Sequence, residues 1–129
     1  MKVGSPLRIG LVAAALASLC AIGPAAAQDA AAGAGVFQNF CTVCHSVDKP
    51  PRSKIGPSLV GVVGRKAGTS AGFNYSSAMK ARGQVWTAAS LDAFLAAPSK
   101  AVPGTSMTFA GVKDPAKRAS LIAYLKQQK

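Results

Sequence analysis

The sequence is short of several things that functional sites are commonly built from. It has one histidine, His45, no glutamate, four aspartates and three cysteines in 129 residues, and only 6% of it is aromatic. A single imidazole excludes every site that needs two. Between the Gly- and Pro-studded stretches there is no sustained alternation of apolar and polar residues and no βαβ pattern, so nothing points to a sheet. One chain of this length makes one domain. Acid is scarce but base is plentiful: 15 Lys and Arg give a formal net charge of +11. An acidic protein face, a nucleic acid or an anionic membrane would each suit that charge, so charge alone does not choose among them.

The N-terminus reads as a leader and not as part of the domain. Lys2 and Arg8 form a basic start, Ile9 to Ile22 is an uncharged run of 14 residues, and Ala25-Ala26-Ala27 supplies small residues at a cleavage site. This is the pattern of a secretory signal peptide spanning 1–27 and cut before Gln28. The run is too short for a membrane anchor, which needs roughly 20 apolar residues. Cys20 raises the possibility of lipid attachment, but Leu19 stands before it where a small residue is wanted.

Without the leader, 102 residues remain (28–129), with 13 Lys and Arg against 4 Asp for a charge of +9, and two cysteines. Eighteen of these residues are Ala, which fills little volume. A core made of such side chains alone is thin, and domains near this size are marginal even with a good one. Something besides side chains is therefore expected to fill the middle.

Helical signals are local and clear. Asp29 is a candidate N-cap for a helix over 30–40 that places Gly33, Phe37 and Phe40 on one face. Ser76 to Arg82 reads as a short turn of helix closed by Gly83. Thr87 caps a run in which Leu91, Phe94 and Leu95 share a face, and Pro98 stops it. Asp114-Pro115 opens a last helix through Leu121, Ile122 and Leu125 that ends in Lys126 and Lys129, cations suited to its negative end. The loops 46–75 and 98–113 are long for a compact domain, and loops of that kind usually wrap a ligand or carry function.

The chemistry sits at Cys41-Thr42-Val43-Cys44-His45. Residues three apart on a helical turn lie on one side, so both thiols can reach one flat object while the adjacent His offers its ring to the object's centre. That arrangement suits two thioether bonds to the vinyl groups of haem, with imidazole on the iron. A zinc site wants four ligands, and these residues supply three. A thioredoxin-type pair wants its CxxC at a helix start beside a parallel sheet, and a disulfide closing so short a loop would stabilise little. For the sixth iron position, two thioethers remain after the leader is removed, Met79 and Met107. Met107 lies in the turn Pro103-Gly104-Thr105-Ser106-Met107, which can hold a side chain rigidly, whereas packing is the plainer reading of Met79.

In order along the chain, the residues from Asp29 to Lys126 resemble the class I cytochromes c of the mitochondrial-like bacterial type. The stretches that carry the likeness are Gly33…Phe37, CTVCH, Ile55-Gly56-Pro57-Ser58-Leu59-Val60-Gly61, Gly64-Arg65-Lys66-Ala67-Gly68, Phe73-Asn74-Tyr75, Trp86, Pro103 to Gly111 and Leu121 to Leu125. The resemblance implies an all-α fold with three main helices, a short one and long loops wrapped around one covalently bound haem. It implies thioethers at Cys41 and Cys44, with His45 and Met107 as the two iron ligands. The Pro57 carbonyl would accept a hydrogen bond from the second His45 nitrogen, fixing the ring. Arg65, Tyr75, Trp86 and Thr105 would surround the haem propionates. Gly33 and Tyr124 would mark the crossing of the first and last helices.

The chain also departs from that family. Phe94 stands where a Tyr often contacts the ligand sulfur, and Met79 where a polar residue lies near the haem. Ser106 and Phe40 replace basic residues around the pocket mouth, and Ser53 replaces a His that staples two loops.

With imidazole and thioether filling both axial sites, no substrate coordinates easily, which is the behaviour of a one-electron carrier and not of an enzyme. The expected role is a periplasmic, monomeric shuttle without stable membrane insertion. It would serve a quinol-oxidising complex, a terminal oxidase or a photosynthetic reaction centre through acidic docking faces met by Lys54, Lys66, Lys100 and Lys113. The alternatives are a partner dedicated to a periplasmic dehydrogenase, or weak peroxidase activity, for which no acid/base group stands beside Met107. Nucleic acid is disfavoured by export and by the lack of aromatics interleaved with the basic residues.

Overall fold

The computed structural model describes residues 24–129. The expected leader lies outside the described residues apart from its last four positions. Five helices follow in order: α1 Pro24–Phe40, α2 Ser77–Arg82, α3 Ala88–Ala96, α4 Pro98–Ala101 and α5 Pro115–Gln127. Among the described residues the only extended pairing is an isolated antiparallel bridge between Lys66 and Val85, and no helix is long and apolar enough to cross a membrane.

Helix α1 begins earlier than the caps suggest. Asp29 lies inside it instead of capping it, because Pro24 fits a first helical position and the alanines after it are the best helix formers. Its inner face carries Ala30, Gly33, Val36 and Phe37, all buried. Phe40, expected on that face, ends the helix about half exposed, with its ring 6.5 Å from that of Phe109.

The other helix ends follow their capping residues. The Ser76 hydroxyl accepts from the Met79 amide at 3.2 Å, and Gly83 closes α2 in the left-handed region. Thr87 and Ser90 satisfy each other's backbone amides in a capping box at α3. Pro98 does more than stop α3, the role its position suggests, and also starts α4: the chain is extended at Ala97, and a proline at the first position then favours a new turn. At α5 the Asp114 carboxylate accepts from the Ala116 and Lys117 amides at 2.8 and 3.3 Å. Asp114→Ala removes both bonds and the favourable charge at that helix end, so it should cost about 1 kcal/mol, read as a lower denaturant midpoint with an unchanged slope.

The main helix contact is between α1 and α5, with α3 packed on α5 and α4 on α3. At the first crossing the rings of Phe37 and Tyr124 stand 5.4 Å apart. Leu121, Ile122 and Leu125 from α5 meet Leu91, Phe94 and Leu95 from α3 in one buried cluster with Val62 and Trp86. The loops are pinned to this frame by backbone bonds. Gly64 donates to Trp86, Trp86 to Arg65 and Ala67 to Gln84, at 2.8 to 2.9 Å. These bonds hold Trp86 at the edge of a hollow that the helices do not fill.

Candidate cofactor site

The hollow is a cavity of about 350 Å³, and Cys41, Cys44, His45, Pro57, Arg65, Tyr75, Trp86, Thr105 and Met107 all line it. Residues spread over the sequence from 41 to 107 thus converge on one space. Most of its remaining wall is apolar, including Leu91, Phe94, Leu95, Leu121 and Leu125.

One side is built where α1 runs out. Cys41 donates to the Phe37 carbonyl at 2.8 Å, and His45 and Cys44 donate back to the Cys41 carbonyl at 2.8 and 3.1 Å. The helical turn therefore continues past Phe40 and brings both thiols to the cavity. His45 Nδ1 donates to the Pro57 carbonyl at 2.8 Å, which leaves the Nε2 lone pair as the one available for a metal. Burial lowers the pKa of this imidazole, against the opposing pull of the Pro57 bond and with a smaller push from Lys54, so it is neutral at physiological pH. Gly56 donates to the Cys44 carbonyl at 2.7 Å and passes directly against the ring. A Cβ there would stand 2.5 Å from His45 Cε1. Gly56 was not singled out from the sequence as a site residue; its signal was the Gly-Pro pair eleven and twelve residues after the histidine.

The thiols themselves argue against redox-thiol chemistry. Both cysteines are free, and burial, helped by the neighbouring Cys44, pushes the Cys41 thiol up to about 11. A thioredoxin-type cysteine needs the opposite shift. Zinc fares no better, since no group of three or more His, Cys, Asp or Glu side chains able to hold a metal gathers among the described residues.

The segment carrying Met107 is held mainly by bonds within itself. Thr105 donates to Val102 at 3.0 Å, its hydroxyl accepts from the Met107 amide at 3.3 Å, and Phe109 donates to the Met107 carbonyl at 3.1 Å. Beside it, Trp86 packs on Phe94 with ring centroids 5.0 Å apart. The Tyr75 hydroxyl accepts from the Ser70 amide at 3.1 Å. Arg65 donates from Nη1 to the Val60 carbonyl at 2.6 Å and from Nη2 to the Ser58 carbonyl at 2.9 Å. The ion pairs among the described residues are Arg52 with Asp48 and Arg118 with Asp92, so no carboxylate answers Arg65. A second guanidinium was missed in the sequence: Arg82 lies 4.4 Å from the centre of the Trp86 ring, with its Nε buried and without a hydrogen-bond partner.

A haem fits these residues. The hollow is apolar and large, two thiols and an imidazole line it together with a thioether, and guanidinium charge unanswered by any carboxylate stands at its wall, where anionic arms would be welcome. The departures noted in the sequence also have local consequences. Ser53 Oγ is buried with no partner, so no side-chain staple replaces the histidine of the family at that point. Met79 is both a packed residue, 8% exposed, and a lining residue of the cavity. Lys54, Lys66, Lys100 and Lys113 are all exposed. Lys113 Nζ donates to the Ala96 and Ala110 carbonyls at 2.7 and 2.6 Å.

Comparison with known proteins agrees with this chemistry. The family model described as cytochrome c matches residues 30–129. Cytochrome c2 of Blastochloris viridis is 49% identical over 106 residues, covering 82% of this chain and 83% of that protein. Cytochrome c of Guizotia abyssinica is 48% identical over 102 residues, covering 79% and 92% respectively. Among solved structures, cytochrome cH from Methylobacterium extorquens is similar with a TM-score of 0.71 and 46% identity, over 76% of this chain and 97% of that one.

Proposed function

The chain belongs to the cytochrome c family, and from that premise we propose that it is an exported one-electron carrier whose haem is anchored at Cys41 and Cys44 and ligated by His45 and Met107. As a family member it is a c-type cytochrome: an electron-transfer protein and not an enzyme, with covalent haem c and its iron as cofactor. When bound, that group supplies a metal that changes its charge by one electron with little change of geometry.

The chain's own residues do the rest. Pro57 and Gly56 fix the His45 ring so that Nε2 faces its ligand role with the proton held on Nδ1. The turn 103–107 presents the Met107 thioether. Leu91, Phe94, Leu95, Leu121 and Leu125 keep water from the cavity. Arg65, Tyr75, Trp86 and Thr105 receive the two propionates, which would otherwise be costly to desolvate. Because His45 and Met107 would both be donors to the metal, no position would be left for a small substrate, and this separates a carrier from a peroxidase.

The basic start, uncharged run and small residues over 1–27 support export and a periplasmic mature domain, which we take to be a monomer that docks and leaves. Lys54, Lys66, Lys100 and Lys113 suit brief contact with acidic faces of a quinol-oxidising complex, a terminal oxidase, a photosynthetic reaction centre or a periplasmic dehydrogenase. Nucleic acid has no place in this reading.

The observation that carries it is the convergence of both thiols, the sole imidazole and Met107 on one cavity. Intact mass spectrometry of protein recovered from the periplasmic fraction tests it. The expected mass is that of a chain beginning at Gln28 plus one haem. A haem-free chain would sink the cofactor anchorage, and a cytoplasmic chain that still starts at Met1 would sink the export.

A further inference from the structure

The cavity holds two thioethers, and only one has a role in the reading above. Met79 is more buried than Met107, at 8% exposure, and lines the same space. It belongs to α2, whose Ala78 Cβ is the atom that a Cβ on Gly104 would meet at 3.1 Å. Thus α2 packs against the turn that leads into Met107, and the two sulfurs reach the cavity from adjoining segments.

Two features set these segments apart. The Met107 segment is exposed at Pro103, Gly104, Ser106, Thr108 and Ala110 and is bonded mostly to itself, which is the description of a piece of chain that opens locally. Helix α2, six residues long, packs on no other helix; its backbone rests on the turn at Gly68, where an added Cβ would meet the Met79 carbonyl oxygen and Lys80 Cα at 3.2 Å, so Met79 stays at the cavity when the Met107 segment opens. Among the lining residues, moreover, there is no lysine, no second histidine and no other sulfur apart from the two anchoring cysteines. If Met107 withdraws, Met79 is the remaining soft donor.

We propose that Met79 is a reserve iron ligand that takes the distal position when the segment carrying Met107 opens. The inference rests on the haem reading above, with His45 and Met107 as the resting pair. The exchange replaces one neutral thioether lone pair by another, so no electron or proton is gained or lost. Its consequence is that opening of the exposed loop does not leave the iron accessible to small molecules.

Ferric holoprotein provides the test, read by the weak far-red sulfur-to-iron absorption band and by the rate of cyanide binding. Met79→Leu keeps the volume and removes the sulfur. The wild type and Met79→Leu should show the same band, because Met107 is the resting ligand. Met107→Ala should retain a sulfur-to-iron band at a displaced wavelength. The double variant should lose it and bind cyanide about tenfold faster than Met107→Ala, since the open state is no longer depleted by capture. Equal cyanide rates in Met107→Ala and the double variant, with no band in either, would overturn the reserve role alone. A Met107→Ala spectrum identical to wild type would instead overturn Met107 as the resting ligand. Should Met107→Ala fail to fold, the single Met79→Leu variant still decides. Faster cyanide binding than wild type in mild denaturant, where the loop opens more often, supports the proposal, and an unchanged rate refutes it.

Discussion

With both Cys41 and Cys44 replaced by Ala, the chain should lose its haem to acidified organic solvent, which the wild type resists, and the stripped chain should be largely unfolded. The magnitude follows from the hollow. A void of 350 Å³, at roughly 24 cal/mol per Å³ of cavity left in a core, corresponds to about 8 kcal/mol. This cavity has a mouth, so part of that cost is relieved by solvent. Even half of it is a large share of the roughly 5–15 kcal/mol that holds a domain together. Nor can the walls close freely to recover the loss, because α1 and α3 are both packed on α5 and the 64–67 and 84–86 stretches are bonded to each other. The anchoring bonds thus keep in place the group that completes the core. Circular dichroism of the stripped variant should show little helix and no cooperative melt; a sharp melting transition without haem would refute this account of the core.

That dependence explains why some of the molecule was legible in the sequence and some was not. The caps at Ser76, Thr87 and Asp114 act within three residues of themselves, so the starts of α2, α3 and α5 could be read from local chemistry. The start of α1 could not be read in the same way, because an alanine run propagates helix through a residue that would otherwise cap it. Helix α4 escaped notice because Pro98 signals an end more loudly than a beginning, and a four-residue helix has no periodicity to detect. The candidate site was legible as a set, since CTVCH and the turn before Met107 are compact motifs whose order matches a known family. Its supporting contacts were not. Arg82 reaches Trp86 across the left-handed turn at Gly83, a contact that no capping or periodic signal marks, and the contact of Gly56 with the His45 ring depends on a twelve-residue loop returning to its origin. The Ala-rich composition is itself a signal, because side chains of that volume leave room at the centre of the helices.

Two glycines in α1 should respond to the same substitution with opposite signs. At Gly33 a Cβ would lie 2.5 Å from the Ser120 carbonyl carbon and 2.8 Å from Tyr124 Cβ, with the Ser120 carbonyl oxygen nearer still. None of these atoms sits at the end of a flexible side chain, so Gly33→Ala can be accommodated only by moving α1 away from α5. The Phe37–Tyr124 ring pair lies in that interface and loses contact as it opens. Overpacking of this kind costs about 1–3 kcal/mol where side chains can yield, and rigid backbone puts Gly33→Ala at or above the top of that range. Against it stands the gain of roughly 1 kcal/mol from replacing a mid-helix glycine. At Gly35, two residues on, nothing lies within 4 Å of the added atom. There the helix gain stands alone, and Gly35→Ala should stabilise by up to about 1 kcal/mol. Denaturant unfolding of the two holoproteins, followed through haem absorbance and through far-ultraviolet circular dichroism, reads both signs in one experiment. The effect should also reach the cofactor, because α1 runs directly into the turn that carries Cys41, Cys44 and His45. A shifted α1 pulls the cysteine anchors with it, so Gly33→Ala should lower the yield of protein with covalently attached haem while Gly35→Ala leaves that yield unchanged. Parallel shifts of stability in the two variants would mean that helix propensity governs both sites and that the α1–α5 crossing does not depend on a missing side chain.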